Sequence, residues 1–404
     1  MGGISLRDLM RFKTAFGTGI AAAAILWSAS GLTAEVVKVG VIAPFSGNFS
    51  GSFGAPFRQG IEAYVAQHGQ PAPDIRIEWI YRDNAQVDPQ RAKALAQELV
   101  VKDKVQYLAG IMTTPEALAI APLAQSAKIP TVLFNSSTSI VVSKSDYFVR
   151  TSNTLPQVTV PIARNALKRG IRNVITAVAD YSPGIDAEAA FKKTFEAGGG
   201  TIVESIRMPL STTDFGPYMQ RIKIAKPDAL FVFLPYGPPT YSFVRSYADS
   251  GLRASGVRFL GTSETQESDL QEQGDAALGL ETTYFYSAVH PSPENKAFVE
   301  AVAKLAPGAT PNPATVSAYD GTHVLYTMIK ATAGKPDPDG ALSAAKGLSW
   351  TSPRGPVRID PQTRDIIQNV YLRVVERDAA GRLVNRETET FEAQPDYGLE
   401  LSKK

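Results

Sequence analysis

The sequence alternates between short apolar runs of strand length and amphipathic stretches of helix length, and this alternation restricts the possible folds more than any other feature. Residues 37–60 hold the first such pair. Val37, Val39 and Val41 alternate with other residues as in a β-strand, and apolar residues recur at helical spacing from Phe57 onward. A turn rich in glycine and serine separates the strand from the helix. Alternating strands and helices are typical of a parallel sheet that helices cover on both faces.

The alternation occurs in two successive series. The first runs from residue 37 to a break at residues 147–156, and the second begins near Arg169 and continues to about residue 265. The two series have about the same size, so they predict two sister α/β units. The last stretch, residues 282–392, adds helices and late strands without starting a third domain.

Three polar loops follow strands of the first series, at residues 45–53, 112–115 and 135–139. The carboxyl ends of parallel strands share one edge of a sheet, and α/β proteins bind ligands in the crevice there. Thr114, followed by Pro115, is the predicted cap of a helix. The free N–H groups and the positive dipole end at a helix N-terminus form a site for an anion. The loops therefore predict a ligand-binding edge.

Composition argues against several functional classes. A net charge of +2 without a block of like charges argues against nucleic acid as a partner. The chain has no cysteine, and His68, His290 and His323 lie far apart without metal-ligand spacing. It contains no G-x-S-x-G elbow, no P-loop and no G-x-G-x-x-G motif. We therefore expect a protein that is not an enzyme and has no catalytic residue, no cofactor and no metal.

The first 34 residues have the pattern of a signal peptide. Basic residues up to Lys13 precede an uncharged, alanine-rich run at residues 15–27, and small residues lead to a predicted cleavage site after Ala34. The apolar run is shorter than the roughly 20 residues that a transmembrane helix needs. The pattern therefore predicts export of the chain with removal of residues 1–34.

Five segments, in this order and spacing, carry a resemblance to a known family: FSGNFSGSFGAPFRQG, AGIMTTPEALAIAPLAQSAKIP, DYSPG, YDG and SPRGPVRID. Together with the export signal they make the chain resemble a periplasmic solute-binding protein of the branched-chain amino acid receptor group. These type I periplasmic binding proteins serve ABC transporters. The resemblance covers about residues 36–392.

The resemblance implies two α/β lobes, each built on a doubly wound parallel sheet, with three crossover strands joining them and a ligand cleft between them. Lobe one is expected to comprise residues 36–153 and 284–356, and lobe two residues 154–283 and 357–398. Such a receptor captures a small carboxylate-bearing solute, either a hydrophobic or branched-chain amino acid or an aromatic acid. It then delivers the solute to the membrane permease of an ABC transporter. The location it implies is the periplasm.

The resemblance also implies which residues contact the solute. They lie in turns at the sheet edges of both lobes, and several are aromatic, as is typical of ligand pockets. The predicted ligand-binding residues are Ser46, Phe53, Thr113, Thr114, Asn135, Ser137, Tyr181, Tyr236, Ser263 and Glu264.

Glu264 bears on the class of solute. Amino-acid receptors of this group place a carboxylate near this position, where it pairs with the ammonium group of the ligand. The turn at residues 261–264 is one residue out of step with that pattern, so Ser263 is an alternative occupant of the acidic position. Glu264 is then equally consistent with a solvated loop charge. An amine-free aromatic acid and a branched-chain amino acid both remain open.

Two other functions share parts of this pattern. A ligand sensor of the same fold, signalling to a regulator, would bind its solute in the same way. A hydrolase would need paired carboxylates for acid–base work, and nothing in the sequence pairs Asp83, Asp180 or Asp320 recognisably. The pattern as a whole favours binding without turnover.

Overall fold

The computed structural model describes residues 34–402. The first five strands form one sheet, called the first sheet, in the order β2-β1-β3-β4-β5 with every neighbouring pair parallel. A proline at the first or second position begins each of the first three helices. The elements are β1 (Glu35–Ala43), α1 (Ala55–His68), β2 (Ile75–Asp83), α2 (Pro89–Val101), β3 (Tyr107–Gly110), α3 (Thr114–Ala127), β4 (Thr131–Leu133) and β5 (Phe148–Arg150).

The next five strands form the parallel part of a second sheet, in the order β7-β6-β8-β9-β10. Its elements are α4 (Leu155–Lys168), β6 (Asn173–Ala179), α5 (Ser182–Ala197), β7 (Thr201–Met208), α6 (Gly216–Ala225), β8 (Ala229–Phe233), α7 (Pro238–Asp249), β9 (Arg258–Gly261), α8 (Leu270–Gln273) and β10 (Glu281–Tyr284). The strand order repeats that of the first sheet. In each sheet the direction in which successive strands are added reverses at one place, between β1 and β3 in the first sheet and between β6 and β8 in the second. Such a reversal is where α/β sheets open a crevice for ligands.

The remaining chain completes both halves. Its elements are α9 (Pro293–Leu305), α10 (Pro313–Ala331), α11 (Pro338–Ala345), β11 (Ser349–Ser352), β12 (Gly355–Ile359), β13 (Ile366–Arg377), β14 (Leu383–Gln394) and α12 (Gly398–Ser402). Helix α10 packs on α1 so closely that a Cβ at Gly60 would lie 2.2 Å from the Thr315 carbonyl oxygen. The chain therefore passes between the two sheets three times: before β6, after β10 and before β11.

The second sheet is mixed, because late strands extend its parallel part in antiparallel orientation. Strand β13 pairs antiparallel with β10, β12 and β14, and β11 pairs antiparallel with β12. The connections between these late strands are short, and short connections join antiparallel strands, whereas parallel neighbours need a crossover of a dozen or more residues. The expected two-lobed α/β fold is confirmed, and the lobe boundaries stay a prediction.

The first strand shows why its sequence is almost continuously apolar. Val37, Val39 and Val41 are fully buried on one face, and Ile42 on the other face is 1% exposed. Helices cover both faces of the sheet, so both sets of side chains leave water. Within residues 34–402, no helix has both the length and the apolar character that a membrane crossing requires. Residues 1–33 of the predicted signal peptide lie outside the described residues.

Three arginines with no solvent exposure, Arg150, Arg354 and Arg373, lie at the passages between the sheets. Arg354 Nη2 lies 2.7 Å from Asp320 Oδ2 in α10, and Arg150 Nη2 lies 2.7 Å from Asp365 Oδ1. The Arg354 guanidinium also donates to two backbone carbonyl oxygens of the first passage. The pair of Arg354 with Asp320 therefore joins the first passage to the helix that follows the second.

Replacing Arg354 is expected to lower stability strongly, because Asp320 would remain buried without its partner. We expect Arg354→Met to lower the free energy of unfolding by about 3–5 kcal/mol in denaturant titration. The matched control is Arg386→Met. Arg386 pairs with Glu376 at 2.7 Å, and both side chains are about half exposed, so the loss there should stay within about 1 kcal/mol. Equal losses in the two variants would contradict this role of Arg354.

Candidate ligand-binding site

A cavity of about 460 Å³ lies where loops at the carboxyl ends of both sheets meet. Most of its lining is apolar, with hydroxyl and amide side chains at a few places. The lining residues are Asn48, Phe49, Phe53, Val87, Met112, Thr113, Thr114, Pro115, Asn135, Ser137, Asn153, Leu155, Tyr181, Pro183, Leu210, Phe233, Leu234, Pro235, Tyr236, Pro238, Pro239, Ser263 and Tyr284.

The loop after β1 brings Phe53 to this cavity. Residues Ser50–Gly54 form a short π-helical turn that runs directly into α1, a local geometry found often at functional sites. Gly54 lies against the end of β1, where an added Cβ would be only 2.1 Å from the Pro44 carbonyl oxygen. The close approach requires glycine and fixes the position of Phe53, which is 7% exposed.

Hydrogen bonds join the loop after β3 to the loop after β4. Ser136 Oγ donates to the carbonyl oxygens of Ile111 and Thr113, and Asn135 Nδ2 donates to that of Met112 at 2.7 Å. Ile111 and Ser136 have positive φ angles of 62° and 69°, which are unfavourable for residues with a side chain, especially a β-branched one. Backbone strain of this kind persists only where the surroundings impose it. The two loops are therefore held in one arrangement relative to each other.

The start of α3 differs by one residue from the sequence prediction. Thr113 takes the N-cap position and forms a capping box with Glu116, and Thr114 is the first helical residue. Pro115 therefore occupies the second helical position and not the first. Thr114 Oγ1 donates to Thr138 Oγ1 at 2.9 Å, which joins the helix to the loop after β4. The capping box uses the N–H groups of Thr113 and Glu116, and Pro115 has none, so the N–H group left at the start of α3 is that of Thr114. This N–H and the positive end of the helix lie at the cavity.

Aromatic residues of the second lobe form the facing wall. Tyr181 takes the N-cap position of α5, and its ring stacks on Phe233 with centroids 6.3 Å apart. Tyr236 stacks on Phe53 of the first lobe, with centroids 5.0 Å apart and ring planes within 4°. This stack is a direct contact between the two lobes across the cavity.

Two residues that the sequence pattern did not predict, Asn153 and Tyr284, also line the cavity. Tyr284 OH donates to Asn153 Oδ1 at 3.3 Å and lies 2.7 Å from Tyr236 OH. Tyr284 ends β10, and Asn153 lies in the first passage between the sheets. The sequence signal that could have identified Tyr284 is its place as an aromatic residue at the end of a strand. The approach of Tyr284 to Asn153 depends on how the two sheets assemble.

Eight of the ten predicted residues line the cavity, and Ser46 and Glu264 do not. Ser46 Oγ instead donates to Asp83 Oδ2 at 2.6 Å, which ties the loop after β1 to the end of β2. Glu264 is fully buried, so it is not a solvated charge. Its carboxylate accepts the N–H groups of Leu234 and Thr262, at 3.1 and 2.6 Å. Burial raises the pKa of Glu264 to about 7, although these hydrogen bonds oppose the rise.

Within the part of the chain that the structure describes, no Asp, Glu, Lys, Arg or His side chain lines the cavity. Ser263, which follows Thr262, lines the cavity. Each of the three histidines is hydrogen-bonded to a different residue: His68 to Tyr319, His290 to Glu387 and His323 to Tyr64. Among residues 34–402, no group of three or more potential metal ligands is close enough to hold an ion.

Two α/β lobes that enclose an uncharged cleft define the class of protein: one that holds a small molecule between its lobes. The chain belongs to the family described as Periplasmic binding protein, whose model matches residues 36–381. Family membership confirms the sequence-based expectation of a solute-binding receptor.

Several relatives are similar over most of their length. The Leu/Ile/Val-binding protein homolog 6 of Brucella abortus (strain 2308) is 51% identical, covering 92% of this chain and 96% of the relative. A solute-binding protein of an ABC transporter from R. palustris, solved with 4-hydroxybenzoate, is 53% identical with a TM-score of 0.87, covering 90% of this chain and 99% of that one. Another from Rhodopseudomonas palustris HaA2, solved with p-hydroxybenzoic acid, is 54% identical with a TM-score of 0.87, covering 91% and 100%.

The loop after β4 also contacts the second lobe at a titratable group. Ser139 N–H donates to Asp186 Oδ2 in α5 at 3.2 Å, and Ser139 Oγ donates to Asp396 Oδ1 at 2.8 Å. Burial raises the pKa of Asp186 to about 6; the Ser139 N–H opposes the rise and the charge of Asp396 adds to it. Asp186 is therefore neutral over a wider pH range in the folded protein than in the unfolded chain.

This shift predicts a pH-dependent stability. Where folding raises the pKa of an acid, the unfolded chain releases the proton first, so stability falls as the pH rises between the two pKa values. Asp186→Asn removes this loss. We therefore expect its free energy of unfolding, relative to the unsubstituted protein, to increase from about pH 4 to about pH 7 in denaturant titrations.

The control with the opposite sign is Asp378→Asn. Hydrogen bonds from the backbone and side chain of Arg382 lower the pKa of Asp378, so its carboxylate stabilises the fold at neutral pH and loses this effect on acidification. The stability of Asp378→Asn relative to the unsubstituted protein should fall as the pH rises. The same sign in both variants would contradict the assignment of Asp186.

Proposed function

We propose that the chain is a periplasmic receptor for a small aromatic carboxylic acid without an amino group, of the hydroxybenzoate kind. The observation that carries the proposal is the absence of any charged side chain from the cavity lining. Glu264, the one carboxylate near the position used by amino-acid receptors, is directed to the backbone N–H groups of Leu234 and Thr262.

The uncharged lining discriminates between the two classes of solute that the sequence left open. An amino acid carries an ammonium group, and burying that charge without a carboxylate partner is costly. The carboxylate of an acid needs only hydrogen-bond donors. The start of α3 supplies the Thr114 N–H group and a positive dipole end, and Ser137 and Ser263 add hydroxyl groups.

Aromatic side chains on both walls favour a flat ring over a branched aliphatic chain. Phe53 and Tyr236 face each other from opposite lobes, and Tyr181 and Phe233 form a second stacked pair in the second lobe. Rings prefer offset stacks and edge contacts with other rings. Two relatives above 50% identity were solved with 4-hydroxybenzoate, which supports the same class of solute here.

The name of the Brucella abortus relative suggests a second candidate, a branched-chain amino acid. That solute would require an anionic partner for its ammonium group. Glu264 is fully buried and does not line the cavity, so it could serve only if its side chain moved. The structure therefore favours the aromatic acid.

The mechanism we propose is capture by closure of the lobes. Lobe one would comprise residues 36–153 and 284–356 and lobe two residues 154–283 and 357–398, rotating about the three passages. The solute favours the closed arrangement because it contacts both lobes. An ABC-transporter permease would recognise the closed form, after export directed by residues 1–34. A sensor would share the binding step and differ only in its partner.

A thermal unfolding screen tests the class of solute. The protein without residues 1–34 is unfolded and refolded first, which removes any solute retained during purification. We expect 4-hydroxybenzoate and benzoate to raise Tm, because a ligand that binds only the folded state stabilises it by about 2.7 kcal/mol at one hundred times Kd. Leucine, isoleucine and valine should leave Tm unchanged. A shift with leucine and none with the aromatic acids would overturn the proposal in favour of an amino-acid receptor.

A double substitution tests the two walls. Thr114→Ala with Tyr181→Ala removes a hydroxyl that positions the loop after β4 and a ring from the facing lobe. We expect affinity for 4-hydroxybenzoate, measured by calorimetry, to fall by more than about tenfold, or about 1.4 kcal/mol, with the fold intact by circular dichroism. Ser126→Ala, at the exposed opposite end of α3, should bind as the unsubstituted protein does. Unchanged affinity in the double variant would show that the solute lies elsewhere.

A further inference from the structure

Four side chains at the cavity form one continuous hydrogen-bonded chain. Tyr236 OH lies 2.7 Å from Tyr284 OH, Tyr284 OH donates to Asn153 Oδ1 at 3.3 Å, and Ser137 Oγ reaches the same Oδ1 at 3.4 Å. All four residues line the cavity. They come from the loop after β8, the end of β10, the first passage and the loop after β4, so the chain joins both lobes to the connection between them.

The direction of these hydrogen bonds can be followed from one end of the chain. An amide oxygen only accepts hydrogen bonds, and the hydrogen bond from Asn153 Nδ2 to the Thr154 carbonyl oxygen fixes the orientation of the amide. Tyr284 OH therefore donates its proton to Asn153 Oδ1, and in the hydrogen bond between the two tyrosines Tyr236 OH must be the donor. With its proton directed at Tyr284, the Tyr236 oxygen retains lone pairs at the cavity. The chain thus presents a hydrogen-bond acceptor to a ligand.

The acceptor is neutral. Burial raises the pKa of both tyrosines far above the physiological range, so neither becomes a phenolate that would repel an acid. The guanidinium carbon of Arg373 lies 5.2 Å from the centroid of the Tyr284 ring, which helps to fix that ring. A carboxylate, which only accepts hydrogen bonds, gains nothing from such a group, whereas a phenolic O–H is its complement.

We propose that Tyr236, held by Tyr284 and Asn153, accepts the ring hydroxyl of the solute and makes the receptor selective for hydroxybenzoates over benzoate. This inference rests on the proposed function. It assigns the two polar groups of the solute to different partners: the carboxylate binds the Thr114 N–H at the start of α3, and the ring hydroxyl donates to Tyr236. Benzoate would leave the Tyr236 acceptor desolvated and unpaired, and an unpaired buried polar group is costly.

The test compares the affinities for 4-hydroxybenzoate and benzoate in calorimetry with the refolded protein. We expect the unsubstituted protein to bind 4-hydroxybenzoate at least about tenfold more tightly than benzoate, or about 1.4 kcal/mol. Tyr236→Phe keeps the ring stacked on Phe53 and removes only the hydroxyl, so the ratio of the two affinities should fall to near one. Tyr236→Phe with Tyr284→Phe, which removes the second hydroxyl as well, should give the same loss of selectivity.

The matched control is Tyr326→Phe, which removes a tyrosine hydroxyl bonded to the Gly69 carbonyl oxygen away from the cavity. It should keep the selectivity of the unsubstituted protein. Equal binding of both acids by the unsubstituted protein, or a selectivity that survives in both variants, would overturn this inference and leave the proposed function intact. Binding of neither acid would overturn the proposed function and this inference with it.

Discussion

The pairing of Arg354 with Asp320 is the contact on which the arrangement of the two lobes depends. Neither side chain is exposed, and their nitrogen and oxygen atoms are 2.7 Å apart. The same guanidinium holds carbonyl oxygens of residues 151 and 152, immediately before Asn153. An ion pair in this position contributes little net stability over apolar packing, but losing one partner is costly. Its main effect is geometric, since it fixes the passage that supplies Asn153 to the cavity.

The cavity offers hydrogen-bond donors and acceptors, although none of its described lining residues is charged. Its donors are at the start of α3, and its acceptor is the oxygen of Tyr236 in the facing lobe. A solute that carries an acid and a hydroxyl group would pair with both, whereas the charge of an ammonium group would meet no anionic partner among the lining residues. The charged residues near the site are used within the protein: Glu264 binds two backbone N–H groups, and Arg373 binds carbonyl and hydroxyl oxygens.

Much of the fold could be predicted because alternating patterns and turn residues act locally. The three loops of lobe one follow strands of the first sheet, and the turns at Tyr181 and Tyr236 follow strands of the second, so parallel topology places each set at one edge of its own sheet. The sequence could not reveal that Ser46 bonds Asp83 or that Glu264 turns inward, because side-chain direction depends on neighbours distant in the chain. Asn153 and Tyr284 lie 131 residues apart, and only the assembled passages bring them together.

The start of α3 has an evolutionary consequence. The N–H group there belongs to the backbone, and Ser136 donates to the carbonyl oxygens of Ile111 and Thr113 just before it. Substitution of a cavity side chain leaves a backbone donor unchanged, so under the proposed function an acid group would still be bound while Tyr236 and its neighbours vary. A scaffold with this division would acquire new ring-substituent preferences through single substitutions, without rebuilding the start of α3.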